Sequence, residues 1–381
     1  MPLRPPALLV MLALAGGLRA ESEASLATHT YTNSSGLNVF TPELRWKADM
    51  DPRTQAALDF SVDAVSAASF DYGNQSRTHR LDPARKGQCI TCHVSTDALS
   101  GATANYREER RGFGVSFARR MGDERSVQLK AAYHGNREND YASDAVQFGT
   151  VLDFNDANTT LGLQASLLLD KVSAVTRNLS EPLNTGGFDL TLTQVLTPLT
   201  VAEFGYGFAR AEGYQTNPYA YLEIGNDKDH PVRANQPSLK IRHVASARLK
   251  QGLLPGLAAE AGYRYYGDDW GVQGHTIDVN LSQAMGRLVL EPNVRWYVQP
   301  QGATFFQNFY TTPQTYMTRD LKLAPHQTTL LGATLRGKFN ENFGAELSYS
   351  RYTRQDSLDY QRYFADGPEN ADLYQFILTY E

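Results

Sequence analysis

The chain has 381 residues, 41 acidic against 36 basic side chains and a net charge of -5, with 21 Tyr, 17 Phe, 30 Gly and two Cys. That charge balance argues against nucleic acid as a partner. No run beyond the first twenty residues approaches the roughly 18 uninterrupted apolar residues of a transmembrane helix, which excludes a helical membrane protein. An exported chain rich in aromatics and glycine fits a β-rich protein, soluble or in an outer membrane.

Residues 1–20 read as a signal peptide: Arg4 supplies the positive charge, Ala7 to Leu18 an apolar stretch too short to span, and Leu18-Arg19-Ala20 a cleavage site. The mature chain, 21–381, is then expected in a compartment where unused thiols oxidise. A first strand is expected around Leu26 to Tyr31, closed by the turn Asn33-Ser34-Ser35-Gly36. From there on, period-two alternation dominates. Ala56, Leu58, Phe60 and Val62 oppose Gln55, Asp59, Ser61 and Asp63. Ala202, Phe204, Tyr206 and Phe208 oppose Glu203, Gly205 and Gly207. Leu288, Leu290, Pro292, Val294, Trp296 and Val298 oppose Glu291, Asn293, Arg295 and Tyr297. Tyr374, Phe376, Leu378 and Tyr380 alternate with Gln375 and Thr379 at the end.

A soluble sandwich would alternate in the same way, so the links decide. Turn residues predict short links at 50–53, 122–124, 155–158, 197–199, 251–256, 286–287 and 340–342. Between them fall long ones at 66–108, 135–141, 173–186, 212–238, 267–274, 300–325 and 355–371. Strict short-long alternation is the habit of outer-membrane barrels, with short periplasmic turns and long extracellular loops. The expected fold is therefore all-β: an antiparallel transmembrane β-barrel of about 16 strands (14 to 18), with both termini periplasmic. Glu43, Arg45, Lys47, Asp59, Asp63, Lys130, Glu203, Arg242, Arg248, Glu260, Arg264, Glu291, Arg295, Arg336 and Glu346 fall on the inward side. They predict a mixed-charge, water-filled lumen.

The segments Asp63-Ala64-Val65-Ser66-Ala67-Ala68-Ser69, Ser100-Gly101-Ala102-Thr103 and Arg110-Arg111-Gly112-Phe113 resemble an uncharacterised bacterial outer-membrane family, domain of unknown function 3570. The resemblance covers most of the mature chain. It implies a barrel in the outer membrane and carries no agreed activity. The chain departs from the usual assembly signal in having Tyr380 and no C-terminal Phe.

Within the 66–108 link lies the one strong chemical signal, Cys89-x-x-Cys92-His93. Covalent c-type haem needs two thiols three residues apart for two vinyl groups, with the next imidazole beneath the iron. Cys89 and Cys92 are the expected thioether residues, and His93 the proximal iron ligand. A Cys89–Cys92 disulfide or redox dithiol gives His93 no role. Zinc could recruit only His79 nearby. His79 is also a candidate distal haem ligand, with His134, His230, His326 and Met317 as alternatives. Arg77, Arg80, Arg85, Lys86, Arg107, Arg110 and Arg111 are basic residues that could pair with haem propionates or lipopolysaccharide, or simply be solvated. No hydrolase triad, phosphate loop or paired-carboxylate site stands out.

The expected function is a monohaem c-type cytochrome of the outer membrane, carrying electrons at or across it and not an enzyme. Expected partners are lipid and lipopolysaccharide, and a periplasmic or extracellular redox protein. A porin-like channel or uptake barrel with a sensing, gating or structural haem is the alternative. A haem peroxidase would need an open sixth position.

Overall fold

The computed structural model describes residues 22–33, 38–67, 106–122, 126–174, 178–225, 227–356 and 370–380. The strands are β1 (Ser22–Asn33), β2 (Asn38–Asp51), β3 (Thr54–Ala67), β4 (Tyr106–Met121), β5 (Val127–Arg137), β6 (Tyr141–Phe154), β7 (Thr159–Ala174), β8 (Leu179–Thr197) and β9 (Thr200–Gly213). They continue with β10 (Tyr221–Ile224), β11 (Asp227–Arg233), β12 (Leu239–Leu254), β13 (Leu257–Asp268), β14 (Gln273–Met285), β15 (Leu288–Gln301), β16 (His326–Lys338), β17 (Phe343–Asp356) and β18 (Asn370–Tyr380).

Sixteen of these close into one antiparallel barrel. Each strand pairs with its chain neighbours, β9 pairs with β12, and β18 closes on β1 from Ala24↔Tyr380 to Asn33↔Ala371. β10 and β11 form a separate hairpin inside the β9–β12 link. Closure leaves no sheet edge, the condition for β structure in hydrocarbon, where an unpaired backbone group finds no water.

The alternation sorts the two faces. Leu58, Phe60, Phe204, Leu290, Trp296, Leu347 and Phe376 are exposed large apolar residues, and all point outward. The fifteen charged residues expected inside occupy the opposite parity, as their cross-strand partners confirm: Arg45↔Asp59, Glu203↔Arg248 and Arg336↔Glu346. Aromatic pairs flank the outward band. Phe343 and Tyr380 meet at 5.0 Å at the short-turn end, and Tyr349 and Tyr374 at 5.2 Å at the other. Tyr206 and Tyr263 donate outward-facing hydroxyl hydrogen bonds to, or accept them from, His243 and His275 there.

The short links fall at or beside the expected turn residues, down to the two-residue turn Gly286–Arg287, where Gly286 takes φ 64, except that β12 runs on to Leu254 and narrows the expected 251–256 link to Pro255–Gly256. The β6–β7 turn is less ordinary: Asn155, Asp156 and Ala157 all have positive φ. Asn and Asp tolerate that region, whereas Ala157 stores strain there. The long links are shorter than expected because strands run on through turn-type residues. β8 starts at Leu179, not after Gly186, and carries Pro182 opposite Lys171. β5 runs past Gly135 to Arg137, and β1 extends over Ser22–Asn33.

Candidate functional site

The expected signal peptide and the expected haem residues His79, Cys89, Cys92 and His93 lie outside the described residues. What is described is the root of their link. Ala67 pairs with Tyr106 at the tops of adjacent strands, at the end of the barrel opposite both β1's start and β18's finish.

The other ligand candidates are scattered. His134 is on the lumen wall of β5, with Nδ1 3.7 Å from Asp59 Oδ2. His230 is exposed in β11 and holds Asp227 at 3.1 Å. His326 donates Nδ1–H to the Ala324 carbonyl at 2.8 Å, which fixes its tautomer. Met317 is buried, and its sulfur accepts from the Gln314 amide. Among the described residues no three His, Cys, Asp or Glu side chains are grouped to hold a metal ion. Two of the expected basic residues are committed to carboxylates: Arg110 to Asp63 and Glu138, and Arg111 to Glu109.

The lumen wall is electrically uneven. On β6 to β9 the inward ionisable residues include Asp153, Asp170, Asp189 and Glu203, while Lys171 and Arg210 face outward. From β12 to β17 six arginines point inward: Arg242, Arg248, Arg264, Arg295, Arg336 and Arg354. Some are neutralised locally. Arg248 lies 3.4 Å from Glu203 and 3.3 Å from Glu260, and Arg336 bridges Glu291 and Glu346. Arg295 likewise lies 2.5 Å from Asp278, so one sector of the wall is acidic and the adjoining one is rich in arginine paired with carboxylates, an uneven charge distribution around the lumen.

Sequence reasoning missed the second element, a cap built from the β9–β12 and β15–β16 links. Leu222, Ala234, Tyr310 and Met317 form its core. Asn235 and Met317 exchange both backbone hydrogen bonds, and Ile224 bridges Tyr310. A second cluster, Trp270, Val272, Ala303, Phe305 and Leu323, ties it to the β13–β14 link.

The cap lies on the lumen side of the rim. Ser143, Ala145, Asp170, Val172, Ala174, Thr185 and Ala211 are buried, and every one of them faces inward on β6 to β9. Inward-facing Thr276, Gln299 and Arg354 are buried on the other side. Gln299 donates to the carbonyls of Lys322 and Ala324, and Arg354 to that of Leu321. The available signal was the density of aromatic residues in these links: Tyr219, Trp270, Phe305, Phe306 and Tyr310 are too many for a solvated loop.

The family described as "Protein of unknown function (DUF3570)" matches residues 9–189 and 176–367. No curated protein matches the chain. Among solved structures, a "Bacterial polysaccharide outer membrane secretin" is similar over 96% of this chain and 99% of its own, with a TM-score of 0.52 and 11% identity. OpdK of Pseudomonas aeruginosa, solved with vanillate, is covered over 98% and covers 95% of this chain at a TM-score of 0.45 and 10% identity. The siderophore receptor PirA of Pseudomonas aeruginosa gives 0.45 at 9% identity, and 56% of its length is covered. At 11% identity the likeness to the secretin is one of fold. The closed barrel, its apolar outward band and its polar lumen make this a bacterial outer-membrane protein.

Proposed function

Since the chain belongs to the DUF3570 family, described only as proteins of unknown function, we propose that it is an outer-membrane barrel carrying one covalent c-type haem, and that it transfers electrons at or across that membrane. The observation that carries this reading is Cys89-x-x-Cys92-His93 on the link between Ala67 and Tyr106. The donor set fits the group: two thiols for two thioether bonds, and an adjacent imidazole nitrogen for the iron. When bound, haem supplies a one-electron iron couple. Cys89 and Cys92 would fix it to the chain, and His93, with His79 as a further candidate, would supply imidazole nitrogen to its iron.

The apolar band is about 25 Å tall, so a single haem above it needs a redox partner entering the lumen from the periplasm, or an extracellular one. The test is haem staining after denaturation, with protease added outside intact cells. Covalent haem on an externally released fragment supports the reading. Loss of haem on denaturation of the wild type overturns it.

A second reading, a channel, is favoured by a lumen wall that is acidic on β6–β9 and rich in arginine on the adjoining β12–β17. Planar-bilayer conductance that is unchanged by Cys89→Ala with Cys92→Ala supports it.

A further inference from the structure

We infer that residues 214–220 form a strap, latched by one buried hydrogen bond between Tyr219 and Asp140, that covers the inner wall of β6 to β9 and controls access to it from outside. The two latch residues belong to different links. Tyr219 follows β9 and Asp140 precedes β6, so the bond spans the inner faces of β6, β7, β8 and β9. The Tyr219 hydroxyl donates to Asp140 Oδ2 at 2.8 Å, and both residues are about as buried as the core, at 4% and 5% exposure.

The strap's two ends are held differently. At the β9 end the Tyr214 amide donates to the Pro182 carbonyl, and Gly213 takes φ 132, where a Cβ would lie 2.2 Å from that same oxygen. That geometry turns the chain sharply inward and admits only glycine. At the cap end the Gln236 amide donates to Thr216 Oγ1, and Ala234 to the Ala220 carbonyl. Small inward side chains of the same wall, Val172 and Ala211 among them, are each less than one-tenth exposed, and Tyr141 is the cross-strand neighbour of Val172 on that face. Their burial needs a cover, and the strap is the segment bonded to the wall on both sides of them. The backbone of Asp140 is anchored to β7, because its carbonyl accepts from the Ser173 amide at 2.7 Å. An acceptor at the rim and a donor on the strap make a latch whose release loosens the strap at Tyr219, between its held ends, without disturbing a barrel strand.

Access can be read directly. Val172→Cys places a thiol under the strap, and Gln164→Cys one on the same strand and the same face but exposed. Outer-membrane vesicles are treated with a membrane-impermeant maleimide, and labelling at each position is followed by peptide mass spectrometry, which separates it from the native cysteines. With the latch intact, position 172 should label much more slowly than 164. Adding Tyr219→Phe, which removes only the hydroxyl, should speed labelling at 172 by at least about fivefold, since a bond to a charged acceptor is worth at least that factor, and leave 164 unchanged. Asp140→Asn keeps an acceptor oxygen and should fall between. Equal rates at 172 and 164 in the parent would overturn the cover. Unchanged labelling at 172 in both latch variants would overturn the latch.

Discussion

Removing one oxygen, by Tyr310→Phe, should loosen the cap while leaving the barrel intact. Tyr310 is fully buried, and its hydroxyl organises two chain segments: it accepts from the Thr318 amide at 2.8 Å and lies 2.6 Å from the Phe305 carbonyl and 2.9 Å from that of Thr318. Phenylalanine keeps the ring and its apolar burial, so the hydrophobic contribution hardly changes. What remains is a buried amide without its acceptor and a buried carbonyl without its donor. Two such losses cost about 2–4 kcal/mol. The cost falls on local opening of the cap, not on global unfolding, because the cap joins the barrel through links. Hydrogen exchange reads it at the Asn235 and Met317 amides, whose own bonds the substitution leaves untouched. At about 1.4 kcal/mol per tenfold, their exchange should accelerate from about thirtyfold to several hundredfold. Amides of β7 should be unaffected. An acceleration below about threefold would refute the view that this hydroxyl holds the cap together.

The barrel and its links give three further expectations. Leu167→Arg puts a charge on the lipid face near mid-strand of β7 and should cost about 2–4 kcal/mol of folding stability in vesicles, whereas the neighbouring lumen-facing Ser166→Arg should be nearly neutral; urea titration with a heat-modifiability gel reads both. Gly213→Ala cannot keep φ 132 beside the Pro182 carbonyl, so protease should cut within 214–238 while the strands stay protected. Arg336→Met leaves Glu291 and Glu346 without their shared cation, and the reversal potential in a salt gradient should move toward cation preference.

Much of the barrel is legible because its rules are local. A period of two assigns each side chain to lipid or lumen, and Gly286 or Asn155 marks a turn without reference to anything distant. Where residue type and strand conflict, pairing wins: Pro182 and Gly186 read as loop, yet β8 is carried through them by β7 alongside. The cap is illegible for the opposite reason. Tyr219 meets Asp140, and Gln236 meets Thr318, across some eighty residues with no repeat to announce the pairing. The Cys89-x-x-Cys92-His93 motif stands between: its spacing is legible in the sequence and carries the expectation of haem, while it lies outside the described residues.

Ala67 and Tyr106 leave and re-enter the wall as direct neighbours. The register of β3 on β4 is therefore fixed by the strands themselves and is indifferent to what connects them. Lengthening such a connection is cheap, about 0.6 kcal/mol for each doubling. The barrel thus offers a socket at this position. Segments of quite different size can be exchanged between Ala67 and Tyr106, each presented at the same end of the barrel, while the sixteen strands stay unaltered.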